Sequence, residues 1–197
     1  MSRRAAADVC LILEGTYPYV AGGVSAWAHD LITAQPHLRF ALLSILPPNA
    51  ALDRKYEPPP NVVSLDHVFL NQLPAGASPM PGGRALLARL QGPIERIHEG
   101  GGLAEVRELL HVLRQAARPP GRAFLLDSHD AWDLLLRAYG AGNGHLSFLD
   151  YFWTWRTQLL AMYSVFLAPL PEARVYHTLC TGYAGLCAAR AHLETGR

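Results

Sequence analysis

The sequence predicts an α/β fold, a Rossmann-like, doubly wound and mostly parallel sheet with helices on both faces. Three observations predict it. Residues 8–13 (DVCLIL) form a short apolar run closed by a glycine- and proline-containing loop, which suits a strand buried on both faces of a parallel sheet. A helical pattern opens directly after that loop, at Val24. Further apolar runs follow, and the order strand, helix, strand calls for a right-handed crossover between parallel neighbours.

The run at residues 8–13 is the first and central strand. Residues 24–33 place Val24, Trp27, Ala28 and Leu31 on one helical face, expected to pack on the sheet, and Gln35-Pro36 stops the helix. Residues 39–46 (RFALLSIL) form the second strand, ended by Pro47-Pro48, and residues 61–65 (NVVSL) the third. The chain reads as a single domain over residues 1–197 with a proline- and glycine-rich insertion at about 71–102. With Pro74, Pro79, Pro81, Pro93 and the run Gly100-Gly101-Gly102 there, any helix such as 84–90 must be short. Residues 103–117 repeat apolar side chains at Leu103, Val106, Leu110 and Leu113, an amphipathic helix. Residues 128–139 form another, with Ser128 as N-cap, Asp130 in the first turn, and glycines at 140, 142 and 144 ending it. The longest helix, 147–167, opens on Ser147 and Asp150 in capping-box positions. It aligns Phe148, Phe152, Trp155, Leu159, Met162 and Phe166 as a core stripe, with Trp153 and Arg156 off it. A short strand at 174–177 and a small-residue helix from Thr181 or Gly182 to Leu193 complete the chain.

At 197 residues, 50% of them hydrophobic and 17% charged, the chain can bury one sizeable core and does not resemble a disordered segment. The net charge is +1 and no basic stripe gathers Lys and Arg, so no nucleic-acid partner is expected. Three cysteines, Cys10, Cys180 and Cys187, are too few for a disulfide framework, and no Cys/His spacing suits a metal. They read as small core or helix-packing residues in a reducing cytosol. The start passes from two arginines directly into the first strand, with no signal-peptide pattern. Residues 151–170 are apolar but contain Arg156 and Gln158 and close at Pro169, so they read as a buried helix and not a membrane span.

The loop EGTYPYVAGGV, residues 14–24, lies between the first strand and the first helix, where doubly wound folds place ligands. Gly22 and Gly23 let the backbone approach a ligand, and the N–H groups opening the helix can face an anion such as a diphosphate. The spacing is neither GxGxxG nor GxxxxGK followed by Ser or Thr, which argues against a nucleotide-binding oxidoreductase and a P-loop. A tight turn needing glycine would explain the pair without any ligand. The aromatic, proline-stiffened Tyr17-Pro18-Tyr19 suits a sugar-binding cleft better than a mere turn. Glu14 can accept a sugar hydroxyl or pair with a neighbouring N–H. Asp30 and His29 read as helix surface. His177 sits at the carboxyl edge of the last strand, where Thr178, Thr181 and Gly182 gather. It can hydrogen-bond a donor sugar or acceptor, or be held structurally by a backbone carbonyl, and Thr181-Gly182 can offer a second helix N-terminus.

The string LILEGTYPYVAGGVSAWAHDLI, residues 11–32, closely resembles the start of PelF-like glycosyltransferases, members of retaining glycosyltransferase family four that serve exopolysaccharide synthesis. The resemblance recurs in KYEPPPNVVSL (55–65), FLDYFWTWR (148–156) and PEARVYHTLCTGYAGLCAARA (171–191), while residues 71–121 match poorly. It implies the N-terminal, acceptor-side lobe of a GT-B fold, part of a hexosyltransferase that moves a sugar with retention from a UDP-sugar to a growing exopolysaccharide. The implied partners are a nucleotide sugar, a polysaccharide acceptor, a C-terminal donor-binding lobe and an inner-membrane polysaccharide synthase complex, with the enzyme cytoplasmic and peripheral to that membrane. No metal and no further cofactor are required. The family pattern continues past residue 197 into a His-Gly segment and a lobe with paired glutamates, so no transfer activity is expected from this piece alone. The implied roles are catalytic for His177 and substrate-binding for Glu14, Tyr17, Gly22, Gly23, Thr178, Thr181 and Gly182, the glycine pair approaching the donor diphosphate. Retaining transfer depends on stabilising an oxocarbenium-like centre and a departing diphosphate more than on a dedicated base. The alternative is a noncatalytic sugar- or partner-binding Rossmann-like module.

Overall fold

The computed structural model describes residues 7–142, 145 and 147–197. The expectations about the first six residues and about Gly144 lie outside the described residues. Four strands, β1 (Ala7–Glu14), β2 (Phe40–Leu46), β3 (Val62–Phe69) and β4 (Ala173–Thr178), form one all-parallel sheet in the order β3-β2-β1-β4. The helices are α1 (Gly23–Ala34), α2 (Gly83–His98), α3 (Leu103–Arg114), α4 (Arg122–Leu125), α5 (His129–Gly140), α6 (Phe148–Leu167) and α7 (Tyr183–Thr195). The protein is a parallel α/β fold of Rossmann type, as expected. β3 runs four residues beyond the apolar run that announced it, because Asp66 and His67 pair in register with Leu43 and Ser44 of β2 and continue the ladder.

The chain forms two compact units, residues 7–70 with Ser164–Arg197, and Asn71–Tyr163. The first holds the whole sheet. In β1, Cys10, Leu11, Ile12 and Leu13 are all buried, and the period of two sends them to opposite faces. Cys10 and Ile12 join Ala41, Leu43, Ile45, Val165, Ala184 and Cys187; Leu11 and Leu13 join Tyr17, Ala28, Ile32, Phe40 and Leu42. α7 therefore covers one face and α1 the other. Arg190 of α7 is almost fully buried, and its guanidinium donates to the carbonyls of Val165 at 2.6 Å and Ala168 at 2.7 Å while Glu194 accepts at 3.0 Å. This cation satisfies carbonyls left open at the end of α6 and suits the negative end of that helix.

The second unit is helical, and the insertion expected at about 71–102 is its first part. α2 is 16 residues long and passes through Pro93, where a short helix was expected. Pro93 removes one backbone bond, but it is itself buried beside Leu86, Leu87, Leu90 and Ile94, and that apolar face outweighs the loss. α3 buries Val106, Leu110 and Leu113 as read from the spacing, whereas Leu103, in its first turn, is half exposed. At α5 the Ser128 hydroxyl accepts the Ala131 N–H at 3.1 Å, the expected N-cap. Along α6, Trp155, Leu159 and Met162 are buried and Trp153 is exposed, as the stripe implied. Phe148 and Phe152 are only half-buried, in a ring cluster with Trp132 and Tyr139.

Candidate functional site at the switch point of the sheet

From β1 the chain goes outward through β2 to β3, then returns to place β4 on the other side of β1. The carboxyl ends of β1 and β4 therefore flank the point where strand order reverses, the position where open parallel sheets bind ligands. Two segments leave the sheet there, residues 15–22 into α1 and residues 179–182 into α7.

Gly15 opens the first with φ of +63° and donates its N–H to the Ile45 carbonyl at 2.8 Å. A side chain at that φ is strained, so this glycine serves the backbone. The next residues fold inward, and Tyr17 and Tyr19 are both buried. The Tyr17 hydroxyl bonds His29 Nδ1 at 3.1 Å, its ring tilts against Tyr56, and its carbonyl accepts from Ser44 Oγ at 3.1 Å. Burial above all pushes the Tyr17 phenol up to about 12. The Tyr19 hydroxyl bonds His67 Nε2 at 2.5 Å, and burial lowers the pKa of His67. The aromatic loop is thus an anchor. Tyr17, expected to face substrate, has no side-chain surface to offer, because a tyrosine next to a parallel strand gains more by burying its ring where His29 satisfies its hydroxyl. His29, expected at the surface, is half-buried for the same reason.

Gly22 and Gly23 are exposed, and a Cβ built on either meets no atom within 4 Å. Gly22 has φ of 166°, extended backbone open to any residue, and no side chain caps α1. Among the described residues, nothing requires glycine at 22 or 23. The first-turn N–H groups of α1 face outward with the positive end of the helix dipole.

The second segment is already occupied by a carboxylate. Glu14, the last residue of β1, accepts the Ala184 N–H in the first turn of α7 through Oε2 at 3.0 Å. A Cβ at Gly182 would lie 2.9 Å from Glu14 Oε2 and 3.1 Å from Oε1. Gly182 therefore leaves room for the carboxylate, and of the two readings of Glu14 its pairing with an N–H is the one observed. One first-turn N–H of α7 is thus taken by a carboxylate of this chain. Thr178 Oγ1 is turned back on its own chain, donating to the Cys180 carbonyl at 2.9 Å and accepting the Cys180 N–H at 3.2 Å. Thr181 is exposed.

His177 is exposed, and its ring lies nearly parallel to that of Trp27, 17° apart with centroids at 6.3 Å. Sequence reasoning placed Trp27 in the core. α1 instead buries Ser25, Ala28 and Ile32, leaving Val24 40% and Trp27 44% exposed. The helix carries two candidate stripes one residue out of phase, and the stripe with the small residues packs, because Ser25 and Ala28 allow close approach to the sheet. That contrast in size was the available signal.

Among the described residues, no three His, Cys, Asp or Glu side chains converge where a metal ion could be held, and no helix is long and apolar enough to cross a membrane. Cys10, Cys180 and Cys187 are free, and burial pushes the thiols of Cys10 and Cys187 up to about 12 and about 11.

An all-parallel sheet flanked by helices, with an uncapped helix start at its switch point, defines a Rossmann-type α/β domain. The chain belongs to the family described as a domain of unknown function, DUF3492, which matches residues 7–197. No curated protein and no solved structure matches it.

Proposed function

We propose that this chain is the acceptor-side lobe of a retaining glycosyltransferase of the PelF-like kind, moving a hexose or N-acetylhexosamine from a UDP-sugar to a growing exopolysaccharide. The observation that carries the reading is the uncapped start of α1, where Gly22 and Gly23 stand open at the switch point although nothing among the described residues needs glycine there. Such a helix start favours a diphosphate, whose developing negative charge on departure the outward N–H groups would stabilise. The matched strings at residues 11–32 and 171–191 support the same reading, since they form the two segments that leave the sheet at this point. His177 would contact a sugar at this crevice, and a second Rossmann-like lobe would hold most of the donor. In this reading no metal takes part, and the enzyme works in the cytoplasm beside an inner-membrane synthase complex.

A panel of nucleotide sugars titrated into the full-length protein by calorimetry tests the proposal. Saturable heat with a UDP-sugar is the expected result, and silence across the panel would remove it. In the same protein Gly23→Val should raise the donor KM or abolish turnover; unchanged kinetics would take the loop out of the mechanism.

A noncatalytic sugar-binding module is the second reading. It is favoured by the commitment of Glu14 to α7, which leaves the switch point without a free carboxylate on β1. Saccharide binding with no nucleotide-sugar binding in the full-length protein would select it.

A further inference from the structure

We infer that Trp27 and His177 form a shelf on which a neutral sugar ring of the acceptor stacks, an inference that rests on the sugar-handling reading of this crevice. An indole left 44% exposed on a helix that already has a core face is an apolar surface whose one ring neighbour among the described residues is the exposed His177. The parallel imidazole of His177 sets it beside the carboxyl end of β4, so the two rings border the switch point and not a remote surface. Val20 and Val24, each at least 40% exposed, extend the apolar border toward the open glycines.

Charge decides what such a shelf can recognise. Residues 15–28 and 175–189, which build both sides of the switch point, contain no Asp, Glu, Lys or Arg. Two carboxylates flank these segments: Glu14, held by the Ala184 N–H, and the exposed Asp30, one turn further along α1 than Trp27. These segments offer two rings, the exposed hydroxyl of Thr181 and backbone groups, with Asp30 as an acceptor for a hydroxyl at the rim. A pyranose matches this set: one face of its ring is a patch of C–H bonds, its rim is hydroxyls, and it carries no charge that would need a counter-ion. Trp27 is a binding residue in this assignment, and the acceptor sugar is its ligand.

The test uses the 197-residue chain, isotope-labelled at its tryptophan indoles, with the Trp27 resonance assigned through Trp27→Phe. Methyl glycosides and trisaccharides of glucose, galactose and N-acetylglucosamine form one arm; uridine and UDP form the other. The expected result is a saturable shift of the Trp27 indole N–H by a saccharide, weakened about three- to tenfold in Trp27→Ala and largely retained in Trp27→Tyr. His177→Ala should also weaken it. A shift with uridine and no saccharide overturns the inference, as does a Trp27→Ala chain that binds the saccharide like the parent. Silence with every probe overturns it too, and is the result expected if this helix face instead meets a protein lobe. Failure of the transferase reading is distinguishable: saccharide binding at Trp27 in a full-length protein that ignores nucleotide sugars leaves the shelf standing. Turnover whose acceptor KM is indifferent to Trp27→Ala sinks the shelf and spares the transferase.

Discussion

Glycines at the switch point do three different things, and substitutions separate them. Gly15→Ala should destabilise the chain by about 1–2 kcal/mol, since its φ of +63° lies in the left-handed region. Gly23→Ala should leave stability unchanged or raise it by up to about 1 kcal/mol, because the added methyl meets open space within a helix. Denaturant titrations of the two variants check the contrast; equal losses would mean that both glycines serve the backbone. Gly182 is the third kind, coupled to a side chain 168 residues away in Glu14. Glu14→Ala should cost about 1–2 kcal/mol through the lost cap on α7. Gly182→Ala should be costly in the parent and nearly free in the Glu14→Ala background, a coupling that a double-mutant cycle reads directly. His67 adds a pH dependence. Its pKa in the fold is lowered, chiefly by desolvation, so the unfolded chain binds the proton first as pH falls. The stability it contributes is full above about 6.5, its unfolded value, and is lost as pH drops through the folded value. Unfolding midpoints between pH 7.5 and 5 should decline, and His67→Gln should flatten the decline.

At the scale of the element, α1 shows how far periodicity reaches. The sequence reading puts Val24, Trp27, Ala28 and Leu31 on the packed face, because hydrophobicity favours the stripe with Val24, Trp27 and Leu31; Ala28 is indeed buried, but with Ser25 and Ile32. The sheet selects that second stripe. Ile32→Ala should therefore cost about 2–4 kcal/mol, whereas Trp27→Ala should cost less than about 1 kcal/mol, with thermal or chemical unfolding as the measurement. The reverse ranking would show that the sequence-based phase was right. The loop before α1 was misread for a related reason. Its tyrosines suggested a cleft lining, yet Tyr17 and Tyr19 found hydrogen-bond partners in His29 of the following helix and in His67 of β3, and could then be buried. The last strand and α7 were easier to place, because their apolar and small residues admit only one packing.

For the whole molecule, the two faces of the sheet make a prediction about chemistry that is easy to follow. Cys10 and Cys187 lie in one face of the core with their thiols held far above neutral pH, while Cys180 is half-buried at the approach to α7. Alkylation under native conditions followed by mass spectrometry should modify Cys180 first and leave the other two untouched until global unfolding. Rapid labelling of Cys10 would contradict the core assignment. The helical unit Asn71–Tyr163 occupies the sequence interval between β3 and β4. Its prolines and glycines made it read as an irregular insertion, since local propensity counts each Pro93 as a break and does not see the apolar face that carries α2 through it.

By itself the sequence determined the parallel α/β architecture, the four strands, most helix ends and the place of a glycine-rich loop after β1. Those follow from local physics: apolar runs too long to be exposed, periodicities of two and 3.6, and residues that cap or end a helix. Only the tertiary structure decided which glycines the backbone needs, that Glu14 takes an N–H at the start of α7, that Tyr17 is core, and that Trp27 stands exposed beside His177. Each of these depends on a contact between residues far apart in the chain or on one of two nearly equal helix phases, and neither is written in the order of the residues alone.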